Sequence, residues 1–350
     1  MKCFKNKTIL ITGHTGFQAF WLANTLRILK VKNLVGIGLP PTYYQKKLFE
    51  KLLSHNIYDY SSLLNICNKK KFISLLEDTQ PDYIFHLASQ PLVEEGYQNP
   101  INTFNSNING SLNLLEWLRH QQRKIKVIFV TSDKCYRPSN KHLTETDCLG
   151  GLDPYSSSKS IQEMLVESYN QSFFLKDNYI KIATARSGNI YGGGDFTPGR
   201  LIPDIINSIH LKKKLIIRNP NYTRPWQFIT DSISGYLSIG QYLSQKNIIY
   251  HSFNFGPNNR SKITVKKILN LLENISNKKI NIELSKNKFS ESKNLNLISK
   301  RANLILKWKN KHSLLEGLKE TYNWYDNYFN NYEDIISFSQ NKIREKLDQF

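Results

Sequence analysis

The feature that most constrains the fold is a short apolar run that leads into a glycine loop and then into a helix. Residues 8–12 read Thr-Ile-Leu-Ile-Thr, Gly13 and Gly16 follow, and apolar side chains recur with helical spacing over residues 20–29. Glycine at the first loop position permits a tight turn, and glycine at the second lets a pyrophosphate approach the backbone N–H groups that open the helix. The pattern predicts a dinucleotide site over Gly13, Thr15, Gly16 and Phe17, although an ordinary strand–helix turn would read the same.

Apolar runs and helical segments continue to alternate along the first half of the chain. Further strands are predicted at residues 34–38, 83–87, 127–131 and 180–185, with helices at 110–120 and 153–172. This alternation is typical of a parallel sheet with helices on both faces. We therefore predict an α/β fold, with a doubly wound parallel sheet (Rossmann) domain over residues 1–190. Residues 191–350 are expected to form a smaller, mixed α/β substrate domain, from which some segments could return to the first.

The chain is strongly basic, with a formal net charge of +20. Its lysines occur in short runs without the interleaved aromatic side chains that single-strand binders use, so we expect no nucleic-acid partner. The positive field would instead attract an anionic substrate such as a diphosphate. No apolar run approaches the roughly 20 residues of a membrane helix, so no membrane partner is expected either.

Cysteine spacing and the N-terminus bear on the compartment. The four cysteines show neither zinc-ligand spacing nor a disulfide pattern, so no metal site is predicted. The first residues pass from lysines directly into the first strand and leave no room for the apolar region of a signal peptide. We expect a cytoplasmic protein.

A tyrosine and a lysine four positions apart form the candidate catalytic pair. Tyr155 and Lys159 would share one face of the helix predicted at 153–172, and Ser132 follows the strand predicted at 127–131. A phenol has a pKa of about 10 in water, so it becomes a usable base only where a nearby cation stabilises the phenolate. Alone, the pair could be two surface residues of a helix. Together with the glycine loop and Ser132 it is the pattern of short-chain dehydrogenases/reductases, and the chain resembles an extended member of that superfamily.

A longer series of motifs narrows this resemblance. In chain order the blocks are residues 12–17 (Thr-Gly-His-Thr-Gly-Phe), 85–88 (Phe-His-Leu-Ala), 90–93 (Gln-Pro-Leu-Val), 131–136 (Thr-Ser-Asp-Lys-Cys-Tyr), 149–159 (Leu-Gly-Gly-Leu-Asp-Pro-Tyr-Ser-Ser-Ser-Lys), 192–195 (Gly-Gly-Gly-Asp), 200–204 (Arg-Leu-Ile-Pro-Asp), 218–220 (Arg-Asn-Pro) and 224–227 (Arg-Pro-Trp-Gln). This series resembles the CDP-glucose 4,6-dehydratases. The resemblance implies NAD as the cofactor and a nucleotide-sugar substrate, CDP-glucose first, which is converted to CDP-4-dehydro-6-deoxyglucose.

The resemblance also implies a division of chemical roles. Tyr155 would remove the proton of the sugar 4-hydroxyl, while Ser132 holds that hydroxyl and Lys159 contacts the nicotinamide ribose. Asp133 would protonate the departing 6-hydroxyl and Lys134 would take the C5 proton, so that water leaves across C5 and C6. These five residues are the predicted catalytic set.

The predicted binding residues fall into two groups. The adenosine is expected near Asn65 and Ile66, and Asn107 resembles the structural asparagine that shapes the active-site helix. Arginine suits a diphosphate because its planar fork binds phosphate oxygens in pairs. The complete cofactor-binding prediction is Gly13, Thr15, Gly16, Phe17, Asn65, Ile66, Leu87, Ala88, Ser89, Asn107, Tyr155 and Lys159, and the substrate-binding prediction is Gln90, Asn189, Arg200, Arg218 and Arg224.

Several positions depart from the pattern. Gln18 and Ala19 stand where Lys-Gly is common, Asn65 stands where an acid is usual, and residues 94–96 read Glu-Glu-Gly where basic residues and a serine are usual. Two carboxylates beside an anionic substrate would repel it unless they point away. Two alternatives therefore stay open: a nucleotide-sugar 4-epimerase on the same scaffold, and a non-catalytic nucleotide-binding protein. The Asp133–Lys134 pair favours dehydration, which an epimerase does not perform.

An assembly is also expected. The helices predicted at 110–120 and 155–172 would expose apolar rows that related enzymes pack into a four-helix interface. We therefore expect a homodimer or homotetramer.

Overall fold

The centre of the computed structural model is a parallel sheet of seven strands, in the order β10-β6-β5-β4-β1-β2-β3. The structure describes residues 1–177, 179–257, 263–285 and 296–346. The sheet strands are Thr8–Thr12 (β1), Asn33–Gly38 (β2), Tyr60–Leu63 (β3), Tyr83–His86 (β4), Ile125–Val130 (β5), Ile180–Ser187 (β6) and Ser252–Phe255 (β10). Two small parallel pairs lie outside this sheet and consist of Asn189–Tyr191 (β7) with Trp226–Phe228 (β9), and Leu215–Ile217 (β8) with Ile282–Leu284 (β11).

Helices connect and cover these strands. They are Phe17–Ile28 (α1), Tyr43–Ser54 (α2), Lys69–Thr79 (α3), Val93–Gln98 (α4), Pro100–Phe104 (α5), Gly110–Arg119 (α6), Pro154–Tyr169 (α7), Leu175–Asp177 (α8), Leu201–Leu211 (α9), Ile229–Tyr242 (α10), Val265–Ser276 (α11), Leu314–Asn330 (α12) and Ile335–Arg344 (α13). Of the helices in the described residues, none is long and apolar enough to cross a membrane.

The helix predicted at 153–172 starts as expected but ends earlier. Pro154 occupies the first turn of α7, and the Asp153 side chain accepts a hydrogen bond from the Ser156 N–H. A carboxylate there satisfies an N–H group that has no partner inside the helix. After Tyr169 the chain continues as a π-helical turn over Asn170–Phe174.

The core is divided by the sheet, as a doubly wound fold requires. Ile9 and Ile11 of β1 pack on one face, in a cluster that includes Phe20 of α1, whereas Leu10 packs on the other face, in a cluster that includes Leu114 of α6. Successive side chains of a strand point to opposite faces, so a strand covered on both sides must be apolar throughout. The predicted fold class is confirmed.

The N-terminal and the C-terminal halves of the chain both contribute strands to the large sheet. Strand β10, from the C-terminal half, pairs in parallel with β6 and completes the large sheet. The boundary near residue 190 thus remains a prediction for the domains, while the sheet itself draws on both sides of it.

The strand order decides where a ligand can bind. From β1 the strands β2 and β3 are added on one side, and the chain then crosses back to place β4 on the other side of β1. In open α/β sheets the crevice outside the carboxyl ends of strands at such a switch point is the usual ligand site. The residues that follow β1, β4, β5 and β6 therefore meet at one edge.

Candidate active site

A cavity of about 510 Å³ lies at this edge of the sheet. Most of the predicted site residues line it. These are Gly13, Thr15, Gly16, Phe17, Asn65, Ile66, Leu87, Ala88, Ser89, Ser132, Lys134, Tyr155, Lys159, Asn189, Arg200, Arg218 and Arg224. Their roles in binding and catalysis remain predictions.

The glycine loop has the shape that a dinucleotide needs. Gly13 has φ +72°, and a Cβ there would lie 2.8 Å from the backbone N of Ala88. Gly16 precedes the first turn of α1, which has no acidic residue and, within the described residues, no side-chain cap. The N–H groups and the positive end of the helix dipole are thus available to an anion. The loop fits the pyrophosphate of NAD.

Two of the predicted binding residues, Gln90 and Asn107, do not line the cavity. The Gln90 amide donates to Thr103 Oγ1 (2.8 Å) and to the Leu92 carbonyl (3.0 Å). The Asn107 amide donates to the Gln90 carbonyl (3.2 Å) and to Ser158 Oγ (2.8 Å). Asn107 thereby joins the segment after β4 to α7. The Gln90 side chain is bonded within the protein wall, and its contact with the substrate stays a prediction.

The predicted catalytic base and its lysine are both buried at the start of α7. Tyr155 is 6% exposed and Lys159 is 1% exposed. Burial raises the pKa of Tyr155 to about 12, which the Ser132 hydroxyl and the Arg200 guanidinium offset only in part. Burial lowers the pKa of Lys159 to about 8, opposed by the Glu163 carboxylate. Both shifts favour the uncharged form, as desolvation does.

Lys159 ends a buried chain of hydrogen bonds. Its ammonium donates to Gln162 Oε1 (3.1 Å), and the Gln162 amide donates to Ser111 Oγ (2.7 Å). Ser111 Oγ also lies 3.0 Å from His86 Nε2, and His86 Nδ1 lies 2.9 Å from Thr12 Oγ1.

The directions of these bonds follow from one carbonyl. Ser111 donates its only hydroxyl proton to the Asn107 carbonyl, so it must accept from His86 Nε2. His86 is then the neutral tautomer that accepts from Thr12 at Nδ1, and burial lowers its pKa to about 3. This chain of hydrogen bonds, which the sequence did not reveal, holds the Lys159 ammonium from the interior of the protein.

The predicted acid–base pair for elimination sits on one helical turn after β5. Asp133 is 1% exposed; its Oδ1 accepts from Ser132 Oγ (3.0 Å) and lies 3.8 Å from Lys134 Nζ. Its Oδ2 is buried and has no hydrogen-bond partner among the described residues. A buried carboxylate oxygen without a partner is costly unless a ligand or water supplies one. Lys134 lines the cavity, whereas Asp133 lies just behind Ser132.

On the opposite wall, arginines are paired with carboxylates. Arg200 Nη1 lies 3.2 Å from Asp195 Oδ2, and Arg218 Nη2 lies 3.0 Å from Glu94 Oε2. Asp204 also lines this wall, and burial raises its pKa to about 6. The Asp204 position was part of a motif in the sequence, but nothing there indicated its burial.

The departures at residues 94–96 have separate consequences. Glu94 lines the cavity, but Glu95 does not and accepts a hydrogen bond from Asn99 Nδ2 (2.8 Å). A Cβ on Gly96 would lie 3.0 Å from the backbone N of Tyr155. The expected repulsion of an anionic substrate therefore concerns Glu94 alone, and its charge is paired.

Within the described residues no cluster of His, Cys, Asp or Glu could hold a metal ion. His14, next to the glycine loop, instead hydrogen-bonds through Nε2 to Ser61 Oγ (2.8 Å).

Known proteins resemble the chain in sequence and in fold. The family model described as GDP-mannose 4,6 dehydratase matches residues 10–321. CDP-glucose 4,6-dehydratase of Salmonella typhimurium is 34% identical over 281 residues, which cover 76% of this chain and 75% of that protein. The crystal structure of UDP-glucuronic acid 4-epimerase from Bacillus cereus, in complex with UDP-glucuronic acid and NAD, is 25% identical with a TM-score of 0.79 over 91% of this chain and 99% of that one.

A third comparison adds to the fold. The structure of dTDP-glucose 4,6-dehydratase from Bacillus anthracis, in complex with NAD, has a TM-score of 0.75 at 22% identity and covers 93% of this chain and 97% of that one. The Bacillus cereus structure contains NAD, in agreement with the cofactor that the glycine loop and the motifs predict.

Proposed function

Because this chain belongs to the GDP-mannose 4,6-dehydratase family, we propose that it dehydrates a nucleotide-linked hexose, with CDP-glucose as the substrate. The family resemblance predicted from the motifs is confirmed, and the chain is an NAD-dependent enzyme with nucleotide-sugar 4,6-dehydratase or 4-epimerase activity. The choice of CDP-glucose is supported by the Salmonella typhimurium relative.

The observation that carries dehydration is the position of Asp133. Its buried Oδ2 has no partner in the described residues, and its Oδ1 is bonded to Ser132, which lines the cavity. An epimerase eliminates no water, so it needs no acid beside the Ser132 hydroxyl that would bind the sugar. A dehydratase does, because the departing 6-hydroxyl must receive a proton.

The first half of the reaction would use the start of α7. Ser132 Oγ would hydrogen-bond the sugar 4-hydroxyl, and Tyr155 would take its proton. NAD, when bound, supplies the hydride chemistry, with C4 as the donor and C6 as the final acceptor. Lys159 would contact the nicotinamide ribose and stabilise the Tyr155 phenolate by its charge.

The second half would use the turn after β5. A 4-ketone makes the neighbouring C5–H acidic, so Lys134 can remove that proton while Asp133 protonates the 6-hydroxyl as it leaves. One water is lost across C5 and C6. When the hydride is delivered to C6, protonated Lys134 would return a proton to C5, so the product keeps the 4-ketone. Tyr155 and Asp133 would then recover their starting protonation states by proton exchange with solvent.

The test separates the two halves by substitution. Tyr155→Phe is expected to abolish both NADH formation and product, whereas Asp133→Asn and Lys134→Ala are expected to accumulate NADH and lose the 4-keto-6-deoxy product about 10²–10⁴-fold, as is typical for a general acid or base. Single-turnover absorbance and product analysis with CDP-, UDP-, GDP- and dTDP-hexoses would measure both. Wild-type protein should also incorporate solvent deuterium at C5.

Epimerisation is the second candidate, supported by the fold of the Bacillus cereus 4-epimerase. It needs only Ser132, Tyr155 and Lys159. Interconversion of 4-epimers without loss of water would replace the dehydratase proposal with this one. Full dehydration by Lys134→Ala would contradict the role of Lys134 as the base at C5.

A further inference from the structure

One ion pair spans the cavity and joins distant parts of the chain. Glu94 lies in the first turn of α4, and Arg218 directly follows β8. Arg218 Nη2 donates to Glu94 Oε2 at 3.0 Å, and both residues line the cavity. The pair therefore lies where the proposed diphosphate would bind.

Helix α4 cannot easily move to separate this pair. It packs on the start of α7, where a single added methyl group on Gly96 would come within 3.0 Å of the Tyr155 backbone N. Glu94 thus lies on a short helix that packs against the catalytic tyrosine. Separation of the pair must come from the two side chains, which are long and have several rotamers.

The pair contributes little to the stability of the fold. The side chains of Glu94 and Arg218 are 44% and 35% exposed, and water screens ion pairs that are exposed to this degree. A substrate phosphate can therefore displace the carboxylate. Until it does, Glu94 neutralises the positive charge of Arg218 that would attract the diphosphate.

We infer that Glu94 lowers the affinity of the site for nucleoside diphosphates, because it competes with the substrate diphosphate for Arg218. The inference rests on the proposed function, because it requires that Arg218 binds the diphosphate. Glu94 acts on binding and not on the reacting carbons, so its removal should lower KM and leave kcat unchanged.

The adjacent Glu95 provides a matched control. It carries the same charge on the same helix, but it is bonded to Asn99 and does not line the cavity. Glu94→Gln and Glu95→Gln change the net charge equally, so any difference between them reports the contact with Arg218 rather than the overall field.

The experiment measures the affinity of the full-length, NAD-loaded protein for CDP and UDP by calorimetry. Glu94→Gln is expected to bind CDP about fivefold more tightly, the size expected for loss of an exposed ion pair. Glu95→Gln should equal the wild type. Arg218→Ala should bind more weakly, and addition of Glu94→Gln to Arg218→Ala should then give no gain.

Two results would overturn the inference. If Glu94→Gln binds CDP as the wild type does, Glu94 does not compete for Arg218. If it binds CDP more weakly, Glu94 positions Arg218 instead. If the wild type binds no nucleoside diphosphate at all, the proposed function fails together with the inference. If the wild type binds CDP and turns over the substrate, but Glu94→Gln has the same affinity for CDP, the inference alone is contradicted.

Discussion

At the residue scale, burial shifts the pKa values of Tyr155 and Lys159 in opposite directions. Burial raises the pKa of the Tyr155 phenol to about 12 and lowers the pKa of the Lys159 ammonium to about 8. Below pH 8 the pair therefore holds both protons, and the phenol is no base. Loss of one proton gives mainly a neutral lysine, together with a smaller fraction that holds a phenolate beside an ammonium, which is the form the mechanism needs.

This predicts a rise of activity with pH. For dehydration of CDP-glucose, log kcat/KM should climb up to about pH 8, by about one unit per pH unit, and then level off as the first proton leaves the pair. Lys159→Arg should move the rise to higher pH, since arginine keeps its proton. Initial rates between pH 6 and 10 would test this, and a flat wild-type profile would contradict it.

At the scale of elements, a buried ion pair anchors α7 to the sheet. Glu163, one turn after Lys159, binds Arg186 Nη2 (2.7 Å) and Thr184 Oγ1 (2.8 Å) of β6, and it also accepts from Thr131 at the end of β5. The side chains of Glu163 and Arg186 are 2% and 5% exposed. The helix that carries the catalytic pair is thus fixed over the strand ends that carry its partners.

Removal of one partner should be costly. Glu163→Ala leaves Arg186 buried without its counter-charge, so the free energy of unfolding should fall by about 3–5 kcal/mol. Glu163→Leu combined with Arg186→Met should lose less, because no charge stays unpaired. Urea unfolding measures both.

The exposed Glu167→Ala on the same helix is the control, with an expected change within about 0.5 kcal/mol. An equal loss for the single and the double variant would show that packing, not charge, dominates.

At the scale of the whole molecule, three large apolar side chains on or next to α7 are exposed. Leu152, Met164 and Phe173 are 78%, 59% and 42% exposed. Helix α6, in contrast, buries most of its apolar residues in the core, among them Leu114 and Leu118. The exposed apolar row expected on α6 is therefore largely absent, whereas exposed apolar side chains do occur on and next to α7.

The assembly prediction can be tested on this surface. Burial of these side chains between two copies would remove them from water, so we predict a dimer or larger assembly at micromolar concentration. Met164→Glu should shift sedimentation toward the monomer, whereas Tyr332→Glu, at a side chain 69% exposed elsewhere, should not. A wild-type monomer would contradict the prediction.

The sequence by itself determined the features that depend on near neighbours. The strand, glycine loop and helix at residues 8–28 follow from periodicity and from the freedom of glycine at Gly13, and the four-residue spacing of Tyr155 and Lys159 follows from the helical repeat. Parallel strands bring their carboxyl ends to one edge, so the sequence alone also assigns the residues after each strand to that edge.

The tertiary structure alone decided which distant groups meet. It directed the Gln90 side chain into the protein wall and paired β10 with β6. It also placed Glu94 in contact with Arg218, which is 124 positions away. It also buried Lys159 on a hydrogen-bond chain that leads to His86. Chain periodicity cannot encode these contacts, because burial and partner choice depend on how elements pack, and that packing shifts the pKa values on which the chemistry depends.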